Sequence, residues 1–94
     1  MSNSEDLFGI TYRKGDVIFN EGDMGDTMYI IQSGVVEISH IKDGNRNVLA
    51  ILEKGNFFGE MALIDSRTRS ATATSISRSR LLLLARDTLK EFSE

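Results

Sequence analysis

The residues best suited to chemistry lie between Gly59 and Ala71, where an acidic and a basic side chain follow a glycine. Glu60 and Arg69 stand in this stretch, with a polar loop between them. A guanidinium can hold two phosphate oxygens at once through charge-assisted hydrogen bonds. Gly59 has no Cβ, so its backbone can approach a ligand closely. The pattern predicts a site for a phosphate-bearing ligand with Arg69 as its anchor.

The segment that follows Gly59 favours a short helix over residues 60–64, which are good helix formers. The N-terminus of a helix exposes unpaired N–H groups and a partial positive charge, and both favour an anion. Glu60 would repel a phosphate, so we expect its carboxylate to accept a hydrogen bond from a sugar hydroxyl on the same ligand. The small residues Ala62, Ser70 and Ala71 leave room for that ligand beside Arg69.

The elements that must position these residues have the pattern of an antiparallel β protein. Glycines separate short segments rich in β-branched and aliphatic residues, which favours a sandwich, barrel or roll. Strands are expected over residues 17–19, 28–31, 35–42, 47–52, 70–77 and 80–85. Asp43 and Gly44 tolerate the positive φ of a hairpin turn, which we expect over residues 43–46. The predicted fold is mainly β: an antiparallel β-roll or jelly roll of about eight short strands, with a short internal helix and a truncated C-terminal helix from residue 87.

The segment from residue 58 to residue 71 resembles the phosphate-binding cassette of the cyclic-nucleotide-binding domain family. That family includes ligand domains of protein kinase A regulatory subunits, catabolite activator protein and cyclic-nucleotide-gated channels. Its pattern is Phe-Gly-Glu, an apolar residue, Ala-Leu, a short loop, Arg, a small residue and Ala. The chain has Phe58, Gly59, Glu60, Met61, Ala62, Leu63, Arg69, Ser70 and Ala71 at these positions. Residues 14–23 and 26–34 resemble the family's opening strands, so the likeness extends from about Tyr12 to the end of the chain.

The resemblance implies a role for each matching residue. Arg69 would pair with the cyclic phosphate of cAMP or cGMP, helped by backbone amides near Ala62 and Ser70. Glu60 would accept a hydrogen bond from the ribose 2′-hydroxyl, and the backbone of Gly59 would lie against the sugar. The ligand-binding set is Gly59, Glu60, Met61, Ala62, Arg69, Ser70 and Ala71. Neither a metal nor a cofactor besides the nucleotide is implied.

Three positions bear on the choice of nucleotide and the closure of the site. Ser70 stands where some members have alanine and cGMP-preferring members often have threonine, and its hydroxyl suits either the phosphate or a guanine amino group, so this position does not decide between the purines. We favour cAMP and leave cGMP open. Thr68 replaces a proline found in many members, which predicts a less pre-organised loop. Family members cover the ligand with a C-terminal helix, and this chain reaches Glu94 where that helix would begin. We therefore expect one domain over residues 1–94 with its lid helix largely absent.

Composition argues against several other classes of function. The chain of 94 residues has no cysteine and a single histidine, His40. Thiolate metal sites and a cysteine nucleophile are thereby excluded, and one histidine cannot build a cupin-type metal site. Ser66 and Ser70 have no adjacent base to activate them, so we expect no enzyme. A net charge of −3 disfavours direct nucleic-acid binding, and the longest apolar run, residues 81–85, is too short to span a bilayer.

These observations predict a cytoplasmic regulatory module that relays nucleotide binding to an effector domain or partner protein outside this chain. A homodimer is possible. The alternative is a nucleotide-independent β-roll that serves as an interaction or dimerisation domain, in which Arg69 and Glu60 are solvated or paired with each other. For packing, we expect Phe57 and Phe58 in the core or a turn. Methionines 24, 28 and 61 are expected to fill the core or its edge.

Overall fold

The computed structural model describes residues 8–61 and 68–86, which form eight strands in two antiparallel sheets. The strands are β1 (Phe8–Tyr12), β2 (Val17–Phe19), β3 (Thr27–Ser33), β4 (Val35–Lys42), β5 (Asn45–Glu53), β6 (Phe57–Phe58), β7 (Thr72–Ser75) and β8 (Ser79–Ala85). One sheet has the order β1-β8-β3-β6 and the other the order β2-β7-β4-β5. The predicted β-roll is confirmed. The helices expected over residues 60–64 and from residue 87 fall mostly or wholly outside the described residues.

The hairpin of β4 and β5 closes with two residues rather than the four expected. Asp43 has a φ of 54° and Gly44 a φ of 78°. Two successive positive φ values match the twist of the flanking strands, so Lys42 and Asn45 already pair across the turn. β5 therefore begins two residues earlier than the hydrophobic pattern alone indicated. Its first residues are polar because they lie at an exposed sheet edge.

The core lies between the two sheets. Its buried side chains are Tyr29, Ile31, Val36, Phe58, Ala73 and Leu81. Leu81 is completely buried because β8 is a central strand, where this residue pairs with Ile10 of β1 and Ile31 of β3. The sequence correctly predicted β8 as a buried strand.

Some expectations about packing are wrong. Met24 and Met61 are 73% and 55% exposed, so neither fills the core, whereas Met28 is half-buried on β3. Phe58 is buried but Phe57 is 56% exposed, because consecutive residues of a strand face opposite sides of the sheet. Within residues 8–61 and 68–86, no helix is long and apolar enough to cross a membrane.

The connection from β7 to β8 crosses from one sheet to the other through a group of serine hydroxyls. Ser75 and Ser79 are both completely buried. The Ser75 hydroxyl donates to the carbonyl of Ser77 at 2.5 Å, and the Ser79 hydroxyl donates to the same carbonyl at 2.8 Å. The backbone N–H of Val35 donates to the hydroxyls of Ser77 and Ser79 at 3.0 and 3.2 Å. These bonds satisfy the buried polar groups of the crossing and fix the start of β8.

Candidate functional site

The backbone of Arg69 is fixed against the loop that connects β2 to β3. Its N–H donates to the carbonyl of Asp23 at 2.7 Å, and its carbonyl accepts from the N–H of Gly22 at 2.8 Å. The preceding residue, Thr68, forms an isolated antiparallel bridge with Met24. The position of Arg69 is therefore set by main-chain bonds, independently of its side chain.

The side chain of Arg69 points into the protein and is only 8% exposed as a residue. Its Nη2 donates to the carbonyl of Thr27 at 2.8 Å and its Nη1 to the carbonyl of Gly59 at 3.3 Å. Its Cζ lies 4.1 Å from the centre of the Phe19 ring, a cation–π contact. Arg69 is thus not a solvated surface arginine.

The guanidinium of Arg69 has no negatively charged partner in the part of the chain that the structure describes. Its two acceptors are neutral carbonyls, and its buried Nε has no hydrogen-bond partner within residues 8–61 and 68–86. A buried charge without a counter-ion is unfavourable, and an anion beside it would lower that cost. Glu60 is exposed and does not supply the counter-ion. The electrostatics of the site therefore favour an incoming anion.

Two glycines make the space that this guanidinium occupies. A Cβ on Gly25 would lie 2.5 Å from Cζ of Arg69, and a Cβ on Gly59 would lie 2.9 Å from its Nη1 and 3.2 Å from the carbonyl oxygen of Thr27. Gly59 also has a φ of 81°, which favours glycine. We expected Gly59 to admit a ligand, and in the structure it admits the arginine. Gly25 was missed, because a glycine in a loop carries no sequence signal of what it contacts.

A cavity of about 330 Å³ opens beside Arg69. Six of the seven predicted site residues line it: Gly59, Glu60, Met61, Arg69, Ser70 and Ala71. The seventh, Ala62, lies outside the described residues. The volume falls within the range of about 300–1,000 Å³ that is usual for small-ligand sites. The sequence motif predicted that these residues share a site, and the structure places them around one cavity.

The apolar wall of the cavity comes from residues that we did not assign to the site. Phe19, Ile38 and Phe58 line it. The Phe19 ring lies 5.9 Å from the rings of both Tyr29 and Phe58, so it joins the cavity wall to the core. Ile38 comes close to the site because β4 pairs with β7, where Ile38 is opposite Ala73, and this long-range pairing cannot be inferred from the sequence. One side of the cavity is therefore cationic and another apolar, an arrangement that suits a ligand with a phosphate and a ring.

Tyr29 couples the site to the core. Burial raises the pKa of its phenol, the nearby Arg69 charge acts to lower it, and Asp26 acts to raise it. The ring stacks on Phe58 at 5.1 Å between centroids. The phenol is therefore neutral at pH 7 and does not serve as a counter-ion for the guanidinium.

Comparison with known proteins gives consistent matches. The sequence profile of the cyclic nucleotide-binding domain matches residues 10–94. The chain is 34% identical over 90 residues to a CRP-like cAMP-activated global transcriptional regulator of Mycobacterium tuberculosis, which covers 95% of this chain and 40% of the regulator. The chain thus spans well under half the length of this relative.

Solved structures agree with the fold. Thermus thermophilus catabolite activator protein superposes with a TM-score of 0.89 at 34% identity, covering 93% of this chain and 41% of that one. The cAMP-bound and cGMP-bound forms of the EAL enzyme Bd1971 each superpose with a TM-score of 0.84 at 40% identity, covering 90% of this chain and 23% of theirs. These identities are high enough to indicate relationship as well as shared architecture.

Proposed function

The chain belongs to the cyclic nucleotide-binding domain family, and we propose that it is a regulatory module that binds cAMP at the Arg69 cavity. The observation that carries the proposal is the guanidinium of Arg69, which is buried beside the cavity and has no counter-ion among residues 8–61 and 68–86. A cyclic nucleotide supplies one negative charge and an apolar ring system. It therefore complements both the cation and the apolar wall of the cavity.

Arg69 anchors the phosphate in this proposal. Two of its five N–H groups donate to the carbonyls of Thr27 and Gly59, and its Nε–H has no partner among the residues that the structure describes. A phosphate gains unpaired donors and competes for the others, and unlike a carbonyl it brings the full negative charge that the guanidinium lacks. Binding thus replaces neutral acceptors of the Arg69 guanidinium by an anionic one, and the guanidinium is already in place.

Glu60 and the residues around it recognise the ribose. Glu60 is exposed on the same cavity, next to Gly59, and its carboxylate is available to accept from a 2′-hydroxyl. This role explains why an acidic residue lies beside a phosphate site. Ser70 and Ala71 line the same cavity, and their small side chains leave room for the phosphate beside Arg69.

We prefer cAMP over cGMP as the ligand. The M. tuberculosis relative is named for activation by cAMP, and the structure of Bd1971 is known with either nucleotide. Ile38 and Met61 give the cavity an apolar surface that suits adenine. Ser70 offers a single hydroxyl, which could bond to either purine.

We further propose that the module acts in the cytoplasm, performs no chemistry and passes its state to an effector. Its relatives are longer, and the match covers 40% of the M. tuberculosis regulator. An effector domain or partner protein outside residues 1–94 then supplies the output, and an enzyme such as Bd1971 shows that such a domain can be joined to catalysis. A ligand shifts the output only by its difference in affinity for two states of the module.

Calorimetric titration with cAMP, cGMP and 5′-AMP tests the proposal. Wild type is expected to bind cAMP at a single site, while Arg69→Ala is expected to lose roughly 100-fold or more in affinity, because two charge-assisted bonds disappear. Arg69→Lys keeps the charge but loses the planar fork, so it is expected to bind more weakly than wild type. Lys54→Ala removes a positive charge from the exposed turn after β5 and serves as the control. No binding of any cyclic nucleotide by folded wild type at millimolar concentration would refute the proposal and favour the interaction-domain alternative.

A further inference from the structure

A second group of cations lies at the opposite end of β8 from Arg69. Arg13, Lys14 and Arg78 line a cleft of about 400 Å³ together with Thr11. β8 begins directly after Arg78, and its last residue, Ala85, pairs with Thr27, whose carbonyl accepts from Arg69, so the two places lie about 20 Å apart along the strand. Neither the sequence motif nor the matched family pattern assigns a role to this cleft.

The fold brings these cations together through main-chain bonds. β1 pairs with β8 so that Tyr12 faces Ser79, which puts the residues after β1 beside the residue before β8. The turn after β1 is closed by the N–H of Asp16 donating to the carbonyl of Arg13 at 3.0 Å, and by the N–H of Arg13 donating to Oδ2 of Asp16 at 2.8 Å. The N–H of Gly15 donates to the carbonyl of Ser75 at 2.6 Å. The cleft is therefore held in place by the sheet and the serine-lined crossing.

The charge of the cleft is not neutralised within the part of the chain that the structure describes. Arg13, Lys14 and Arg78 are exposed, and within residues 8–61 and 68–86 none of them forms an ion pair. Asp16 is the nearby acid, and its carboxylate bonds to the backbone of Arg13. Arg80, which pairs with Thr11 across the sheet, lies against Gly9 and adds positive charge at the border of the cleft. Converging like charges are unfavourable by themselves, and a multivalent anion would remove that repulsion.

We propose that this cleft is a site for a polyphosphate chain, either free or as the phosphate end of a nucleotide. Two guanidiniums and an ammonium present many N–H donors and no acceptor, and Thr11 adds a hydroxyl. A group carrying three or four negative charges matches these cations, whereas a single phosphodiester does not. Among the residues that the structure describes, no aromatic or large apolar side chain lines the cleft, so none is present on which a base could stack.

The two sites differ in the anion they select. The Arg69 cavity has one buried guanidinium and an apolar wall, which suit a singly charged cyclic nucleotide. The distal cleft has three exposed cations and a polar lining, so its affinity depends on the number of ligand charges and falls steeply with salt. Binding at the cleft does not require the proposed function of the Arg69 cavity, and each can fail without the other.

Titration of the chain with inorganic tripolyphosphate, ATP and AMP, followed by amide NMR shifts, tests the proposal. Tripolyphosphate and ATP are expected to bind with similar affinity and to shift the amides of residues 11–15 and 78–80, while AMP binds much more weakly. Arg78→Ala and Lys14→Ala are each expected to weaken tripolyphosphate binding about tenfold. Lys54→Ala is the charge-matched control and is expected to change it less than twofold. At about 1 M salt, where charges are screened within about 3 Å, binding should be lost.

Three results would overturn the proposal. The first is binding of tripolyphosphate that does not saturate, and the second is a Lys54→Ala variant that weakens binding as much as Arg78→Ala does. Either result would mean diffuse electrostatic attraction without a defined site. The third is a set of amide shifts that centres on Arg69 and disappears in Arg69→Lys, which would place the anion in the Arg69 cavity. Amide resonances of Arg78→Ala that match wild type outside residues 11–15 and 78–80 would verify that this variant is folded, whether or not the chain binds cAMP.

Discussion

The substitution Gly25→Ala tests whether Arg69 is held in its inward position by the space that a glycine leaves. The new Cβ would lie 2.5 Å from Cζ of Arg69, against about 3.5–4.0 Å for favourable contact, so the guanidinium must move by roughly 1 Å or more. Its 2.8 Å bond to the carbonyl of Thr27 would then break. Gly25 does not have a positive φ, so alanine is compatible with the backbone and the effect acts through the contact.

The magnitude follows from the bond that is lost. A hydrogen bond from a charged group contributes about 1.5–3 kcal/mol to the free energy of unfolding. Replacing glycine by alanine offsets about 0.4–1 kcal/mol of its loss, because alanine lowers the conformational entropy of the unfolded chain. The net loss is about 1.5 kcal/mol, which lowers Tm by roughly 6–12 °C for a domain of this size. Thermal unfolding followed by circular dichroism measures the shift, and calorimetry with cAMP measures the accompanying loss of affinity.

Gly9→Ala provides a matched control. A Cβ on Gly9 would also meet an arginine side chain, because it would lie 2.8 Å from Cζ of Arg80. Arg80 is exposed and can swing into solvent, so we expect Tm to stay within about 2 °C of wild type. Equal melting temperatures for Gly25→Ala and Gly9→Ala would refute the claim that Arg69 is locked in place.

Three further predictions concern the scaffold. Leu81→Ala is expected to lower the free energy of unfolding by about 2–5 kcal/mol in urea denaturation, because the side chain is completely buried in a central strand; a loss below about 1 kcal/mol would contradict its place in the core. Arg46→Ala leaves the buried Glu37 carboxylate without its ion pair and is expected to lower the free energy of unfolding by about 1–2 kcal/mol. The loss is smaller than for a fully buried pair because the Arg46 side chain is 54% exposed. Lys42→Ala is the control and should leave stability unchanged. Burial raises the pKa of Tyr29 above its usual value of 10.0, so the folded state holds this proton more tightly than the unfolded state. The resulting stabilisation is complete below pH 10 and is lost as the pH rises through the folded pKa, so the drop in stability above pH 10 should be smaller in Tyr29→Phe.

Part of the fold was predictable because local signals agreed with the tertiary structure. Asp43 and Gly44 mark the hairpin by their tolerance of positive φ, and the apolar run that begins at Leu81 marks a central strand. β1 and β6 were missed. β6 has only two residues, and both strands are defined by their pairing with β8 and β3 rather than by their own pattern.

The site was predictable as a motif but not as a geometry. The spacing of Gly59, Glu60 and Arg69 identified residues that the structure gathers around one cavity. No sequence pattern indicates that the guanidinium packs on Phe19 and bonds to the carbonyl of Thr27, since those contacts depend on how the loop after β2 meets β3. Contacts between residues distant in sequence cannot be inferred from composition or periodicity, and these contacts define the electrostatics of the site.

The central claim is that the buried guanidinium of Arg69 binds the phosphate of a cyclic nucleotide. It is tested most directly by the side-chain Nε–H resonance of Arg69 in ¹⁵N NMR, assigned by its absence in Arg69→Lys. Because Nε has no partner among the described residues, its resonance is expected to shift strongly on addition of cAMP and not on addition of adenosine. Saturable cAMP binding that leaves this resonance unmoved would contradict the account.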